Sequence, residues 1–390
     1  MGKKNKHELE EGFDRLDLSR EIQKITESFE HNEQDNEILE LSKRGYQLLK
    51  ENLIEDSEVS FNRILKIDEF NNYALVGLGD AARKKRDFKT AMGYYQKCLA
   101  HHPGNNYALF GLADCHKALH QYNQAIKIWE EYLIHDDRNI TVLTRIADAY
   151  RKVRDFKNSK SIYLRVLEMQ QHNAYALIGL GHLHFDFKEY GEALRFWEKM
   201  LEVNPQNIDI RVLTSLGNCH RKLKTFEKGL DYFYKALELE PNNFYALFGM
   251  ADCYRGMNMH QKSLEYWNMI LNLDPNNKVI LTRAGDSLRC LEKLDEAEEY
   301  YQKALNIEFD VYAILGLALI NKLRGNYQEA IDSLEGLLKN DPKNNRLYLE
   351  IADCYIRMND RKHAVEILAK YQKLGIKNIY ISELLDKLNQ

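Results

Sequence analysis

An Asp stands three residues before a Lys or Arg in Asp80/Arg83, Asp114/Lys117, Asp148/Arg151, Asp252/Arg255 and Asp286/Arg289. Residues three apart on a helix are neighbours, so each couple can close an ion pair or offer a cation to an incoming carboxylate. Aromatics precede two of these couples at one register: Tyr107 and Phe110 before Asp114, Tyr245 and Phe248 before Asp252. Aromatic and arginine anchors dominate the centres of protein interfaces. The chemistry on offer is recognition, with no bond made or broken.

Signals for bond chemistry are missing from the sequence. It has no Gly-rich phosphate loop, no Ser or Cys nucleophile motif and no metal-ligand spacing. The six cysteines include no Cys-x-x-Cys pair, and Cys115, Cys219, Cys253 and Cys354 share one place in a repeating pattern, as small buried hydrophobes would. His182 and His184 form a His-x-His that ordinary histidines satisfy equally well. The expectation is a protein without catalysis, cofactor, metal or small-molecule substrate.

The elements that must hold the Asp-x-x-Arg couples in step are repeats. Small residues recur every 33 to 36 positions as Gly45, Gly79, Ala113, Ala147, Gly181, Gly217, Ala251, Gly285, Ala318 and Ala352. If each is the eighth place of a unit, the first unit begins near Ile38 and the tenth ends near Asn378. A second small residue follows twelve places later, from Ala91 to Ala364, and an aromatic four places beyond it, as in Phe61, Tyr95, Trp129, Tyr163, Trp197, Phe233, Trp267 and Tyr301. All five prolines (Pro103, Pro205, Pro241, Pro275 and Pro342) fall at the thirty-second place. Each unit holds two apolar patterns of helical period separated by turn-prone polar residues. A lone helix pair cannot bury both faces, so neighbouring units must stack.

Small, small, aromatic, proline at these offsets resembles the tetratricopeptide repeat over residues 38–378. The resemblance implies an all-α, right-handed superhelical solenoid of stacked antiparallel helix pairs, with the first helix of each unit lining a concave groove. One departure is that Leu75, Leu109, Leu143, Leu177, Leu213, Leu247 and Leu281 stand at an early place where the family often has Trp. Trp129, Trp197 and Trp267 instead mark alternate units at the aromatic place, and we read them as core.

At 100° per residue, the second, fifth, ninth and twelfth places of the first helix lie within about 80° of each other, opposite the apolar fourth, seventh, eighth and eleventh. With the resemblance, that stripe faces the groove. The candidate partner contacts are therefore Tyr107, Phe110, Asp114, Arg151, Tyr245, Phe248, Asp252, Arg255 and Arg289, with Lys117 beside them. The charges can form a self-satisfied ladder between stacked units, orient a bound segment, or do both. The family's grip on a C-terminal carboxylate by Lys and Asn fits poorly. The fifth places carry no Lys, the ninth are mostly Asp, and only Asn218 is of the usual type.

A formal net charge of −4 and a pI near 6.4 supply no basic field for nucleic acid, so an RNA-reading helical repeat is the weaker alternative to a protein-binding scaffold. The partners expected are one or more proteins or peptide segments. No run of 18 apolar residues could span a bilayer, Met1-Gly-Lys-Lys-Asn-Lys opens no signal peptide, and Lys6 stands where myristoylation wants Ser or Thr. Cytoplasm is the expected compartment. Residues 1–37 form a charged segment whose Leu9, Phe13, Leu16, Ile22, Ile25 and Phe29 suggest an amphipathic helix over 8–30 docking near 38–100. Residues 379–390 suit a capping helix with a polar outer face.

Overall fold

The computed structural model describes residues 33–203 and 209–389. The proposed helix over 8–30 and the two-residue register slip near Ile208 lie outside the described residues. The described chain is built of α-helices with no strand among the described residues, and it divides into two compact units. In the first unit the helices are α1 (Glu33–Lys50), α2 (Ile54–Ile67), α3 (Asn72–Lys84), α4 (Phe88–His101) and α5 (Asn106–Ala118), then α6 (Tyr122–His135), α7 (Ile140–Lys152), α8 (Phe156–Met169), α9 (Ala174–Asp186) and α10 (Tyr190–Val203). In the second they are α11 (Ile210–Lys222), α12 (Phe226–Leu239), α13 (Phe244–Gly256), α14 (His260–Leu273), α15 (Lys278–Cys290) and α16 (Leu294–Ile307). The same unit continues with α17 (Val311–Arg324), α18 (Tyr327–Asn340), α19 (Asn345–Arg357), α20 (Arg361–Gln372) and α21 (Ile379–Asn389). Odd-numbered helices up to α19 are the first of each repeat, and each packs against the even-numbered helix that follows it, while α21 closes the chain of helices against α20.

Local rules set the boundaries. The residue before most first helices is Asn or Asp, and its side-chain oxygen accepts the N–H three residues on, as Asn105 does from Ala108 and Asn243 from Ala246. That satisfies one of the donors a helix start leaves open. First helices end in a left-handed residue at the fifteenth place of the repeat, from Asn52 through Lys224 to Asn359, although only Gly325 there is glycine. The Thr225 N–H then donates back to the His220 carbonyl at 2.9 Å, closing the helix and reversing the chain. The link from α16 to α17 (308–310) is one residue shorter than the other described links from one repeat to the next, and Asp310 caps α17 by accepting from Tyr312 and Ala313 N–H.

Aromatics of the second helices supply the core between repeats. Phe61, Tyr95, Trp129, Trp197, Phe233, Trp267 and Tyr301 are almost wholly buried, and most of their rings slot between small residues of two successive first helices. A Cβ on Gly249 would lie 2.2 Å from Phe233 Cζ, so the sixth place of that repeat tolerates nothing larger than glycine. Where the sixth place is glycine (Gly77, Gly111, Gly179, Gly249, Gly316), successive first helices touch directly: α1 with α3, α3 with α5, α7 with α9, α11 with α13 and α15 with α17. Where it is Arg145 or Arg283, contact of α5 with α7 and of α13 with α15 is sparse at most. At the end of the second unit, α21 buries Ile381 and Leu385 in a cluster that includes Ile351, Leu368 and Tyr371.

Candidate functional site

The first-helix stripe becomes two equivalent nodes, 138 residues apart in sequence and one in each compact unit. The first draws on α5 and α7. Phe110 projects from α5 into the cluster of Leu109, Ala113, Trp129, Tyr132 and Val142, and is only 4% exposed. This corrects the helical-wheel expectation that Phe110 lies open on the groove. Its ring is capped by the Arg145 guanidinium, 4.7 Å from the centroid, and meets Tyr132 edge-on at 6.4 Å. Asp114 is also buried, another departure from an open stripe, because Arg145 reaches it at 2.5 Å and Arg83 of the preceding repeat at 3.1 Å. Arg83 in turn holds Asp80 at 3.2 Å, and Tyr95 donates its hydroxyl to that carboxylate at 2.7 Å.

The ladder continues on α7. Arg151 donates to Asp148 of its own helix and to Asp186 at the end of α9. Burial pushes the Asp148 carboxyl up, but Arg151 and the neighbouring Lys117 and Lys152 outweigh it and hold it below the usual carboxylate range. Arg151 is therefore a tie between repeats as well as a stripe residue. Tyr107, at the head of α5, is half-buried and packed against the apolar cluster around Leu75 and Tyr95.

The second node repeats this plan on α11, α13 and α15, with more of it open. Phe248 is half-buried, with Phe244 6.0 Å and Trp267 5.1 Å from its ring and the Arg283 guanidinium over it at 5.1 Å. Three arginines converge on the buried Asp252: Arg221 at 2.5 Å, Arg255 at 2.7 Å and Arg283 at 3.4 Å. Burial raises the Asp252 pKa, but the hydrogen bond and charge of Arg255, then Arg221 and Arg283, prevail and leave it lowered. Arg289 sits 3.6 Å from Asp286 Oδ1, which also accepts the Tyr301 hydroxyl at 2.8 Å. Tyr245 is 67% exposed at the head of α13, with the exposed Phe244 ring 5.7 Å away, and Val279 and Tyr312 are exposed at the same place of the next two first helices.

Sequence reasoning missed Arg145 and Arg283. They belong to the sixth place, outside the stripe, and the readable signal was an arginine in the fourth and eighth repeats where the repeats on either side carry glycine. His182 and His184 pack as aromatics. His182 meets Trp197 edge-on at 5.2 Å, and buried His184 stacks on Phe196 with Nδ1 2.6 Å from Glu189. Cys98, Cys115, Cys219, Cys253 and Cys354 are buried, and burial pushes the thiols up to about 11 or 12, far from a reactive thiolate. Among the described residues no group of three His, Cys, Asp or Glu is placed to hold a metal.

Family models described as tetratricopeptide repeat match residues 82–144, 144–208, 210–243, 245–277, 280–311 and 323–388. No curated protein matches the chain. Among solved structures, a tetratricopeptide repeat protein from Parabacteroides merdae is 14% identical, with 65% of this chain and 99% of that one covered at a TM-score of 0.53. Yeast Tom70 is 15% identical over 92% of this chain and 96% of its own, with a TM-score of 0.41. YrrB, described as a tetratricopeptide repeat protein with an unusual peptide-binding site, is 22% identical over 47% of this chain and 95% of its own, also at 0.41. These likenesses concern the fold.

Proposed function

The chain belongs to the tetratricopeptide repeat family, and from that premise we propose that it is a non-enzymatic scaffold that binds a segment of a partner protein along its first helices. The observation that carries this reading is the second node. Phe244 and Tyr245 stand exposed with their rings 5.7 Å apart, Phe244 meets Phe248 at 6.0 Å, and the partly exposed Arg283 lies over Phe248 and shares Asp252 with Arg255.

Within the original stripe we assign contact roles to Tyr245, Phe248, Arg255 and Arg289, and supporting roles to Asp252, Asp114, Arg151 and Phe110, which shape or tie the groove from beneath. Tyr107 borders the first node. The repeats span residues 38–378 on this reading, with 379–390 as the closing helix. The proposed location is the cytoplasm, and no helix among the described residues is long and apolar enough to cross a membrane.

The test is affinity capture from native extract with wild-type protein and with Tyr245→Ala/Arg255→Ala. Retained helicity with loss of the captured protein supports the reading. Capture by the variant equal to wild type refutes it, and capture of RNA in place of protein would favour the helical-repeat RNA reader.

A further inference from the structure

The two nodes differ in charge although their plan is the same. In the first, the cations Arg83, Lys117, Arg145 and Arg151 are matched by Asp80, Asp114, Asp148 and Asp186, so four face four. In the second, the corresponding cations are Arg221, Arg255, Arg283 and Arg289, but Asn218 replaces the place of Asp80 and Leu323 that of Asp186. Only Asp252 and Asp286 remain, so four cations face two carboxylates. Asn218 accepts from Arg221 Nε at 3.1 Å, a neutral partner for a charged donor.

The second node is also the one that stands open. The Arg145 side chain is 6% exposed and seals the first node, whereas Arg283 is 34% and Arg255 43% exposed. Other acids approach from α17 and its link: Asp310 is engaged by Thr282 and the α17 start, and Glu308 by Lys278. Neither carboxylate bonds to the node's arginines.

We infer that the second node is a recognition site for an acidic protein segment, one whose Asp or Glu side chains lie next to an apolar residue. The carboxylate takes the surplus charge of Arg255 and Arg283, and the apolar side chain packs on Phe244, whose ring meets Tyr245 at 5.7 Å and the Arg283-covered Phe248 at 6.0 Å. Arginine binds carboxylates through paired N–H donors, and a partly desolvated site strengthens those bonds. The first node is charge-balanced and closed, and serves to tie its repeats together. This inference rests on the reading that the first-helix face takes a protein segment.

The experiment uses the full chain and a short fluorescein-labelled peptide of repeated Glu-Glu-Leu-Phe, with a Gln-Gln-Leu-Phe counterpart and a uridine oligonucleotide as controls. Fluorescence anisotropy should show the acidic peptide binding, more weakly as salt rises, and the Gln peptide binding at least about tenfold more weakly. Asn218→Asp, which restores the balance that Asp80 provides in the first node, should weaken acidic-peptide binding several-fold without lowering the melting temperature. Arg255→Gln should weaken it by about tenfold or more, while Lys117→Gln should not. The inference is overturned if the acidic peptide does not bind, if Asn218→Asp and Arg255→Gln bind it as wild type does, or if the oligonucleotide displaces it from the same residues. Equal binding of both peptides, with both lost in Tyr245→Ala, would overturn the charge argument and leave the groove reading standing.

Discussion

Replacing Phe110 and Phe248 separately with alanine separates core from groove at two positions that sequence treats as equivalent. Phe110 is enclosed by Trp129, Tyr132 and Val142 and capped by Arg145, so Phe110→Ala removes a buried ring where α5 and α7 have little direct contact to collapse onto. Such truncations cost about 3–5 kcal/mol, and the poor capacity of this site to close places it in that range. Phe248 is half-buried, so Phe248→Ala forfeits roughly half as much. A stacked array loses stability locally and need not unfold in two states, so a single denaturation midpoint would blur the difference. Native-state amide hydrogen exchange resolves it. In Phe110→Ala the protection of α5 and α7 should fall by about two to three and a half decades, at about 1.4 kcal/mol per decade. In Phe248→Ala the fall in α13 and α15 should be about one to two decades. A smaller loss for Phe110→Ala than for Phe248→Ala, or one below a single decade, would refute the burial argument.

Three further outcomes follow from the same geometry. Gly249→Ala places a methyl 2.2 Å from Phe233 and should destabilise by about 2 kcal/mol or more, with partial recovery in Phe233→Leu, as urea titration would show. Lys224→Gly relieves a left-handed residue at φ 60 and should leave stability equal or raise it by about 0.5–1 kcal/mol despite the added chain entropy, the opposite of Gly at an ordinary helix site. Asp148 and Asp252 have carboxyl pKa values below the unfolded value of about 3.9, so the stability they contribute is complete above that pH and is lost as pH falls through their folded values. The stability gap between wild type and Asp252→Asn should accordingly be widest near neutrality and narrow below about pH 4 in chemical denaturation.

Much of the architecture is legible in the sequence because each repeat writes the same packing problem again. Small residues such as Gly217 and Gly249 sit where the Phe233 ring must fit, and an Asn or Asp before most first helices marks the start. The Asp-x-x-Arg ladder is likewise readable, since a helix brings those places together. What escapes a helical wheel is the neighbouring repeat. The wheel puts Phe110 beside Asp114 on an open stripe, and only the stacked α7, with Arg145 folded over the ring, shows that the position is covered. The same argument explains why Phe110 and Phe248 diverge. Their first helices share Tyr-Ala-Leu-Phe-Gly and Ala-Asp-Cys, but Tyr132 of the one repeat is Ile270 in the other, and Arg145 closes over the Phe110 ring where Arg283 stays partly exposed.

Site-specific photo-cross-linking tests the central claim most directly. A benzoylphenylalanine placed at Tyr245, on the exposed head of α13, and another at Met269, exposed on the second helix α14, probe opposite readings of where partners bind. The account predicts that position 245 yields a discrete cross-linked protein in native extract, reduced by competing Glu-Glu-Leu-Phe peptide, while position 269 yields none. Cross-linking confined to position 269, or insensitive to the peptide at 245, would contradict it.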